Sequence, residues 1–477
     1  MKKALCLLPL ALLSSCLPLS TDPLKSVRKQ TKGNLGYDLA SPATGGDSTE
    51  VKSRVNAILS HPLGVNGAVQ IALLNNRRLR ATLEDVGISQ AELVEASTPR
   101  NPTLASSLRF PSGGGSANWE LNIAGDVLDA LLLPLNQRIA ADELVATERR
   151  VSHEILQLSA ETKGTWFTLL ASEQQLRKLK DIAGVSETMS DFATRVHDAG
   201  NINDLELMEL QVGHQQAQAD IKRANAEVET HRAKLNRLLG LSGSQGGWTL
   251  ALSELPGLPS GDPSLAKAEA TALAQRQDLA AAKAHLAAVE TALAVKKKTR
   301  LIPGLNLGAD TEHDSGGGQL SGATLDLELP LFNRGKASVA KLEAGLRQAN
   351  DEVEAIESEI RNDVSASHTA MRLARDAADY QMSTLLPQRQ AILKETLLHY
   401  NAMQKSNIAL LHTKDDEQRA EKEAIDSLRD YWLARGELEK AVGGNLNARV
   451  KSKPAPSKPA PPAASGSTMS GGQSHKR

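Results

Sequence analysis

The sequence predicts a mainly α-helical protein with four β-strands in two hairpins, organised as two similar halves. Aromatic residues make up only 3% of the chain, while Ala, Leu, Glu, Gln, Lys and Arg are abundant, a composition typical of long helices. The stretch ALLNNRRLRATLEDVGISQAEL at 72–93 aligns without a gap with ALAQRQDLAAAKAHLAAVETAL at 272–293. A Leu-rich segment ending in LPL also occurs twice, at 131–135 and 327–331, and helical periodicity follows it each time.

Alternation of apolar and polar residues predicts the strands. The clearest example is LDLEL at 325–329, which places leucines on one face and acidic residues on the other. Glycine-rich loops at 112–116 and 314–319 join the strands of each hairpin. Pro134 and Pro330 are expected to end the second strand of each hairpin, because proline has no N–H to donate to a ladder. The predicted strands are 102–110, 118–126, 304–312 and 322–330.

Apolar residues spaced by threes and fours predict helices on both sides of each hairpin. The first helix is expected over 65–96, and the longest over 136–197, on the order of 90 Å at about 1.5 Å per residue. Breaks at 198–201 and near 401–406 turn the chain back, and Gly443 ends the last helix. On each long helix one stripe of residues at helical spacing is expected to pack against a neighbouring helix, and we call such a stripe a seam. The predicted seams are, in chain order, Leu176, Leu179, Ile182, Val185, Met189, Phe192 and Val196; then Ala217, Ile221, Ala224, Val228, His231, Leu235 and Leu238; then Leu346, Ala349, Val353, Ile356, Ile360, Val364, Ser367, Met371, Ala374 and Ala378.

The N-terminus predicts export and lipidation. Residues 1–15 have a charged start, a short apolar core and small residues, as in a secretory signal peptide. Leu13-Ser14-Ser15-Cys16 looks like a bacterial lipobox, so cleavage before Cys16 and its acylation are expected; an ordinary signal peptide is the alternative. Leu17 stands where lipoproteins retained at the inner membrane often carry Asp, which favours the outer membrane. No other apolar stretch is long enough for a transmembrane helix.

These patterns divide the chain into segments. Neither half can close a barrel with only two strands, and an isolated hairpin is only marginally stable. The strands and the seams therefore need partners, which predicts a symmetric oligomer. The predicted segments are a leader over 16–62, read as extended, a first repeat over 63–247, a linker over 248–263, a second repeat over 264–444, and a Pro-, Ala-, Ser- and Lys-rich tail over 445–477 that is expected to be disordered.

The sequence lacks the motifs that mark several functional classes. Basic and acidic residues number 55 and 56, a balance that gives no indication of nucleic-acid binding. The chain has no HExxH or CxxC motif, and its glycine clusters lie between strands with no following helix, unlike a phosphate-binding loop. His231, on a predicted seam, is read as a packed polar residue, with a metal ligand as the minor alternative. We therefore expect no enzyme activity, no cofactor and no metal site.

From about residue 63 to 444 the sequence resembles the TolC family of bacterial outer-membrane efflux proteins. The matching features are the ALxNN-type opening at 72–76, the LPLFNRG junction at 329–335, the turn containing Gly200, and the internal repeat. The resemblance implies a homotrimer in which each protomer gives four strands to a 12-stranded β-barrel and the helices form a periplasmic tunnel. It also implies an inner-membrane pump, of the RND type, and a periplasmic adaptor. LDALLLPLNQR and ELPLFNRG most resemble the heavy-metal efflux branch.

The resemblance also places functional residues at the two helical turns, where related channels narrow. Charged side chains there are candidates for a periplasmic gate, although a solvated outer face is an equal alternative for each of them, and His412 stands where relatives commonly carry an acid. The gate candidates are Asp204, Glu206, Glu209, His412, Asp415 and Asp416. The residues expected to meet the adaptor are Ala199, Gly200, Asn201, Ile202, Met403, Gln404, Lys405 and Ser406.

The predicted function is a lipid-anchored outer-membrane exit duct that passes small molecules or metal ions passively, with energy from the pump. Two alternatives remain open. One is a periplasmic coiled-coil scaffold lipoprotein, against which the alternating hairpins with acidic faces argue. The other is a protein or polysaccharide secretion duct of the same family. The strand regions depart from family expectation in having few aromatics, chiefly Phe110, Trp119 and Phe332.

Overall fold

The computed structural model describes residues 22–39, 49–110, 112, 116–242, 247–301, 304–314, 316–332 and 334–444. Cys16, the signal peptide and the tail 445–477 lie outside this part of the chain. The helices are α1 (Lys25–Leu35), α2 (Thr49–Leu59), α3 (Val65–Asn75), α4 (Arg77–Ala96), α5 (Val127–Asp198), α6 (Asp204–Leu239), α7 (Leu265–Gln275), α8 (Gln277–Thr299), α9 (Lys336–Tyr380), α10 (Leu386–Asn401) and α11 (Asn407–Val442). The strands are β1 (Thr103–Arg109), β2 (Asn118–Asp126), β3 (Leu305–His313) and β4 (Gln319–Leu327).

The four strands form one antiparallel sheet whose order follows the chain, β1-β2-β3-β4. Register pairs Leu108 with Trp119 on one face and Glu120 with Glu312 on the other. The predicted alternation of apolar and polar faces is thereby confirmed. One face carries the exposed apolar residues Leu104, Leu108, Trp119, Leu121, Ile123, Leu307, Leu325 and Leu327, and the opposite face carries Arg109, Glu120, Asn122, Asp310, Glu312 and Asp326.

The second hairpin is shifted relative to its prediction. β4 begins at Gln319 and ends at Leu327, whereas 322–330 was expected. The Asp314 N–H donates to the Gly318 carbonyl at 2.9 Å, which closes a tight loop and lets pairing start with His313 and Gln319. Pro330 lies outside the strand, as a residue that cannot donate to the ladder should.

The expectation that Pro134 ends the second strand is wrong. β2 gives way to α5 at Val127, and Pro134 lies inside this helix. The Asp126 carboxylate accepts a hydrogen bond from the Asp129 N–H at 2.9 Å, an N-cap that starts the helix before the leucine run. Because residues 131–133 are uniformly apolar, they fit a helix as well as a strand. The proline is then the only local signal for the end of the strand, and it is misleading here.

The described part of the leader is mainly helical rather than extended. α1 and α2 lie within the region read as extended. Leu24 and Val27 are fully buried, in a cluster with Leu79 of α4 and Ile155 of α5. The leader therefore packs on the helices, because its few apolar residues fall at helical spacing.

The predicted helix over 65–96 is interrupted at Asn76. Asn75 Nδ2 donates to the carbonyls of Leu239 and Gly240, and Asn76 Nδ2 donates to Leu238, all at 2.9 Å. Asn76 Oδ1 also accepts from two N–H groups in the first turn of α4. These five residues, which we call the first joint, hold the end of α6 against the start of α4, and they explain why the NN pair follows the apolar run.

A corresponding break occurs at Arg276, between α7 and α8. The Arg276 guanidinium donates to Asp278, at 2.5 Å for the shortest contact, and to Asp363 at 3.0 Å. Gly443, which ends α11, lies against the Arg276 backbone. We call these four residues the second joint. The order helix, helix, hairpin, long helix, turn and long helix thus occurs in 65–239 and again in 265–442.

The predicted seams on α6 and α9 are confirmed, because every residue of both is buried or half-buried. The first seam is partly wrong. Val185 and Phe192 are 50% and 55% exposed, and the small residues Ala183, Ser186 and Ala193 are buried instead. Small side chains let α5 and α6 approach closely and leave the large ones outside.

The linker 248–263 is fixed to the helices where it is described. Asp262 accepts hydrogen bonds from Arg375, Arg435 and Tyr431 at 2.8, 2.6 and 2.9 Å. Trp432 Nε1 donates to the Pro256 carbonyl at 2.8 Å. These bonds attach the linker to α9 and α11. A short π-helical segment, Gln381–Leu385, separates α9 from α10, and sequence periodicity did not indicate it.

Candidate functional site

The turn between α5 and α6 and the turn between α10 and α11, which we call the first and second tips, have the same backbone hydrogen bonds. At the first tip the N–H groups of Ala199, Gly200 and Asn201 donate to carbonyls at the end of α5. At the second tip Ala402, Met403 and Gln404 do the same at the end of α10. The side chains of Asn203 and Ser406 then cap the returning helices. The predicted adaptor-contact residues lie on these two turns or at the second-tip cap.

The tips differ at the residue that turns the chain. Gly200 has φ +74°, and Met403 has φ +60°. Met403 is, among the residues that the structure describes, the one non-glycine with positive φ, and it is 95% exposed. A side chain in this conformation costs about 1–2 kcal/mol. The second tip thus carries an apolar side chain in a strained position, with no burial to compensate.

The acidic candidates of the first tip are on the first turns of α6. Asp204 Oδ1 lies 2.7 Å from His197 Nε2, near the end of α5. This contact closes the tip, and it makes His197 a participant that sequence reasoning missed. Glu209 is exposed and Glu206 is half-buried, and neither forms an ion pair within the described residues.

The candidates of the second tip behave differently from one another. Asp416 lies between two guanidinium groups, Arg389 at 3.1 Å and Arg419 at 2.8 Å, so its charge is compensated locally. Asp415 is exposed to solvent on one side and lines a cleft of about 120 Å³ between α5, α6 and α11 on the other, where partial desolvation raises the pKa of its carboxyl. His412 is exposed.

The arginines around Asp416 were not anticipated. Arg419 is three residues from Asp416 on α11, a spacing that brings side chains together on a helix, and the sequence could have revealed it. Arg389 comes from α10, so only the packing of the two helices shows its role.

No group of three or more potential ligand side chains suited to a metal ion occurs in the described part of the chain. His231 lies on the α6 seam, with its Nδ1 2.9 Å from Ser172 Oγ. Burial lowers the pKa of His231, as for a packed neutral imidazole. Across the residues that the structure describes, no helix combines the length and apolarity needed to cross a membrane.

The chain is similar to known proteins both in sequence and in fold. No protein-family model matches the chain. It is 21% identical over 347 residues to the cobalt-zinc-cadmium resistance protein CzcC of Cupriavidus metallidurans, covering 72% of this chain and 80% of that one. It is 22% identical over 409 residues to the outer membrane efflux protein BepC of Brucella suis biovar 1, covering 81% and 86%.

The fold is that of bacterial outer-membrane channels. The Campylobacter jejuni CmeC outer membrane channel matches with a TM-score of 0.69 at 17% identity, over 80% of this chain and 85% of that one. The predicted resemblance to the TolC family of outer-membrane factors is confirmed by these matches.

Proposed function

We propose that this protein is an outer-membrane exit duct of a tripartite efflux system. The observation that carries the proposal is the sheet, in which one face is apolar and exposed while the other is charged. A soluble protein rarely exposes so many large apolar side chains on one sheet face, whereas strands with one mainly apolar, lipid-facing side and one polar side suit a water-filled pore in a membrane.

Assembly as a homotrimer completes the sheet. Within the described residues, β1 and β4 each pair on one side only, and an unpaired edge is a ready site for another strand. Three copies would join β1 to β4 around a threefold axis and close a 12-stranded barrel. The two halves of each chain, as an internal repeat, would then give six similar units around the axis.

The long helices would extend the barrel into a periplasmic tunnel. At about 1.5 Å per residue, the 72 residues of α5 make a helix on the order of 100 Å long. A periplasmic adaptor would contact the two tips, and an inner-membrane pump of the RND type would supply the energy. Similarity to CzcC favours metal ions as cargo, and a secretion duct of the same architecture is the alternative.

The gate would lie at the tips, where threefold symmetry brings three copies of each candidate together. Asp204, Asp415 and the neighbouring acids would form rings of like charge, in which the carboxylates of the three copies repel one another. Because Arg389 and Arg419 already compensate Asp416, we assign it a structural role in fixing α10 to α11. Glu206, Glu209 and His412 remain gate candidates.

The experiment is single-channel conductance of the purified trimer in a planar bilayer. We expect discrete steps that grow in Asp204→Asn and Asp415→Asn variants. Asp204→Asn weakens the contact with His197 that closes the first tip, and Asp415→Asn alters the packing of α11 in the cleft with α5 and α6, so both changes should loosen the tip. Asp191→Asn, an exposed change on α5, is the matched control and should leave conductance unchanged. A monomer that never conducts, even with loosened tips, would favour a periplasmic scaffold instead.

The lipid anchor at Cys16 has its own test. A Cys16→Ala variant should lose part of its retention in the outer membrane, because the acyl chain would supplement the few aromatic residues of the strands. Full retention in fractionated membranes would show that the sheet alone anchors the protein.

A further inference from the structure

A basic cleft of about 620 Å³ opens between the start of α4, the middle of α5 and the end of α6. Its rim carries Arg77, Arg78 and Arg237, all exposed. Glu154 and Glu161 of α5 also line it, but no ion pair joins them to the arginines within the described residues. The cleft therefore presents three guanidinium groups that form no ion pair with any of the described residues.

An acidic surface occupies the middle of α9. Asp351, Glu354 and Glu359 are exposed and form no ion pair within the part of the chain that the structure describes. Two nearby acids are already used internally, Glu357 by Lys283 at 2.8 Å and Asp363 by Arg276 at 3.0 Å. A further exposed acid, Glu352, lines the cleft that α9 forms with α5 and α8. Asp351, Glu354 and Glu359, which we call the acidic face, are opposite in charge to the three arginines.

The chain's topology places these two surfaces at opposite edges of the protomer. α4 leads directly into β1, and α9 follows β4, and these are the two edge strands of the sheet. When a β1 edge pairs with the β4 edge of another copy, α4 of one copy comes to lie beside α9 of the next.

The basic cleft and the acidic face also lie at the same level along the axes of the long helices. One turn of α5 borders both joints, since Glu154 lines the basic cleft with Asn76 and His153 lines another cleft with Asp278. Arg77 and Arg78 are the first residues of α4 beyond the first joint. Glu359 is one turn of α9 from Asp363 of the second joint, about 6 Å along the axis, so it would meet the arginines.

We propose that the basic cleft binds the acidic face of α9 from a second copy of this chain, as a heterologous ion-pair contact repeated around the ring. This inference rests on the proposed trimer. It adds a specific role for surface charge, because the contact would fix which edges meet and in what register, as complementary charges do between partner surfaces. Its strength should fall with ionic strength, since exposed pairs are screened by salt.

Charge reversal tests the contact in the full-length protein. We expect R77E/R78E/R237E, and separately D351R/E354R/E359R, to weaken trimerisation at least tenfold in analytical ultracentrifugation in detergent. Combining all six substitutions should restore the trimer. Glu395→Arg, an exposed reversal on α10, is the control. Trimers of wild-type strength in both triple variants would overturn the inference.

A second measurement covers the case in which a reversed variant fails to fold. An R78C/E359C variant should form disulfide-linked dimers and trimers on mild oxidation, and R78C/E395C should not. Absence of cross-linking in a conducting trimer would contradict the inference but not the proposed function. A wild-type protein that is monomeric and gives no conductance would contradict both.

Discussion

The two joints perform the same task with different chemistry. At the first joint, the neutral amides of Asn75 and Asn76 bind the last carbonyls of α6. At the second, the corresponding place is taken by Arg276, whose guanidinium binds Asp278 and Asp363. Both joints hold the end of one helix against the start of another, and both place a left-handed glycine at the contact, Gly240 or Gly443.

The difference shows that an element order can be kept while its hydrogen bonds are replaced. Amides serve as donor and acceptor together, so Asn76 caps α4 and binds α6 at once. A guanidinium is a donor only, so the second joint needs carboxylates from α8 and α9. The first joint should therefore depend on geometry, and the second on charge.

The largest expected effect comes from filling the glycine contacts. In Gly240→Ala the new Cβ would lie 2.6 Å from the Asn75 carbonyl oxygen, whereas in Gly443→Ala its nearest neighbours lie 3.1–3.2 Å away and include the flexible Arg276 side chain. Positive φ alone costs about 1–2 kcal/mol. We expect the free energy of unfolding to fall by about 3 kcal/mol in Gly240→Ala and by about 1–2 kcal/mol in Gly443→Ala. Thermal unfolding followed by circular dichroism at equal protein concentration measures both. Equal losses would show that backbone strain outweighs the closer approach at the first joint.

Removal of the amide at the first joint should have a smaller effect. Asn76→Ala deletes the N-cap of α4 and the bond to Leu238, and loss of such a cap costs about 0.5–2 kcal/mol. Asn76→Asp keeps the cap but removes the donor to Leu238. The Asn76→Asp variant should therefore lose less stability than Asn76→Ala in the same unfolding assay. If alanine is harmless, Asn75 alone holds the joint.

The joints also show how far sequence reasoning reaches. The gapless match of 72–93 with 272–293 predicted equivalent segments, and the structure breaks both helices at corresponding positions, Asn76 and Arg276. The breaks themselves were missed, because neither residue interrupts the apolar period. What ends each helix is a partner from elsewhere in the chain, and no local pattern reports such a partner.

The same limit explains the errors at the hairpins and the tips. Local alternation predicted four strands and their faces, but Pro134 was assigned to a strand end because a leucine run satisfies both periods. The tips were located from their turn residues and the family resemblance. Their pairing, His197 with Asp204 and Arg389 with Asp416, depends on how helices pack and could not be predicted.

The tips provide a second comparison, because their backbone hydrogen bonds are matched while the turning residue is not. Met403→Gly should stabilise the protein by about 0.5–1 kcal/mol, as relief of positive φ exceeds the entropy cost of glycine. Gly200→Ala should destabilise the protein by only about 1 kcal/mol, the cost of a side chain at positive φ. Open space surrounds the site, so the new Cβ meets no neighbouring atom. Unfolding measurements on both variants test this. A loss of stability in Met403→Gly would show that the methionine makes a contact in the assembled protein.

The smallest expected effect is a pH dependence confined to the second joint. Burial acts to raise the pKa of Asp278, but its hydrogen bonds with Arg276 and the charge of that group outweigh burial and hold the pKa below its ordinary value of 3.8. A depressed pKa means that the folded chain favours the carboxylate, so the stabilisation is present above about pH 4 and is lost as pH falls through the folded-state pKa.

In an Asp278→Asn variant the stabilisation by the carboxylate is absent at every pH. The difference in melting temperature between wild type and variant should therefore shrink as pH is lowered from 5.5 to 3, while the difference between wild type and Asn76→Ala should stay constant, because amides do not titrate. A constant difference for both variants would mean that Asp278 stabilises the second joint through hydrogen-bond geometry alone, and the two joints would then differ in residues but not in their response to charge.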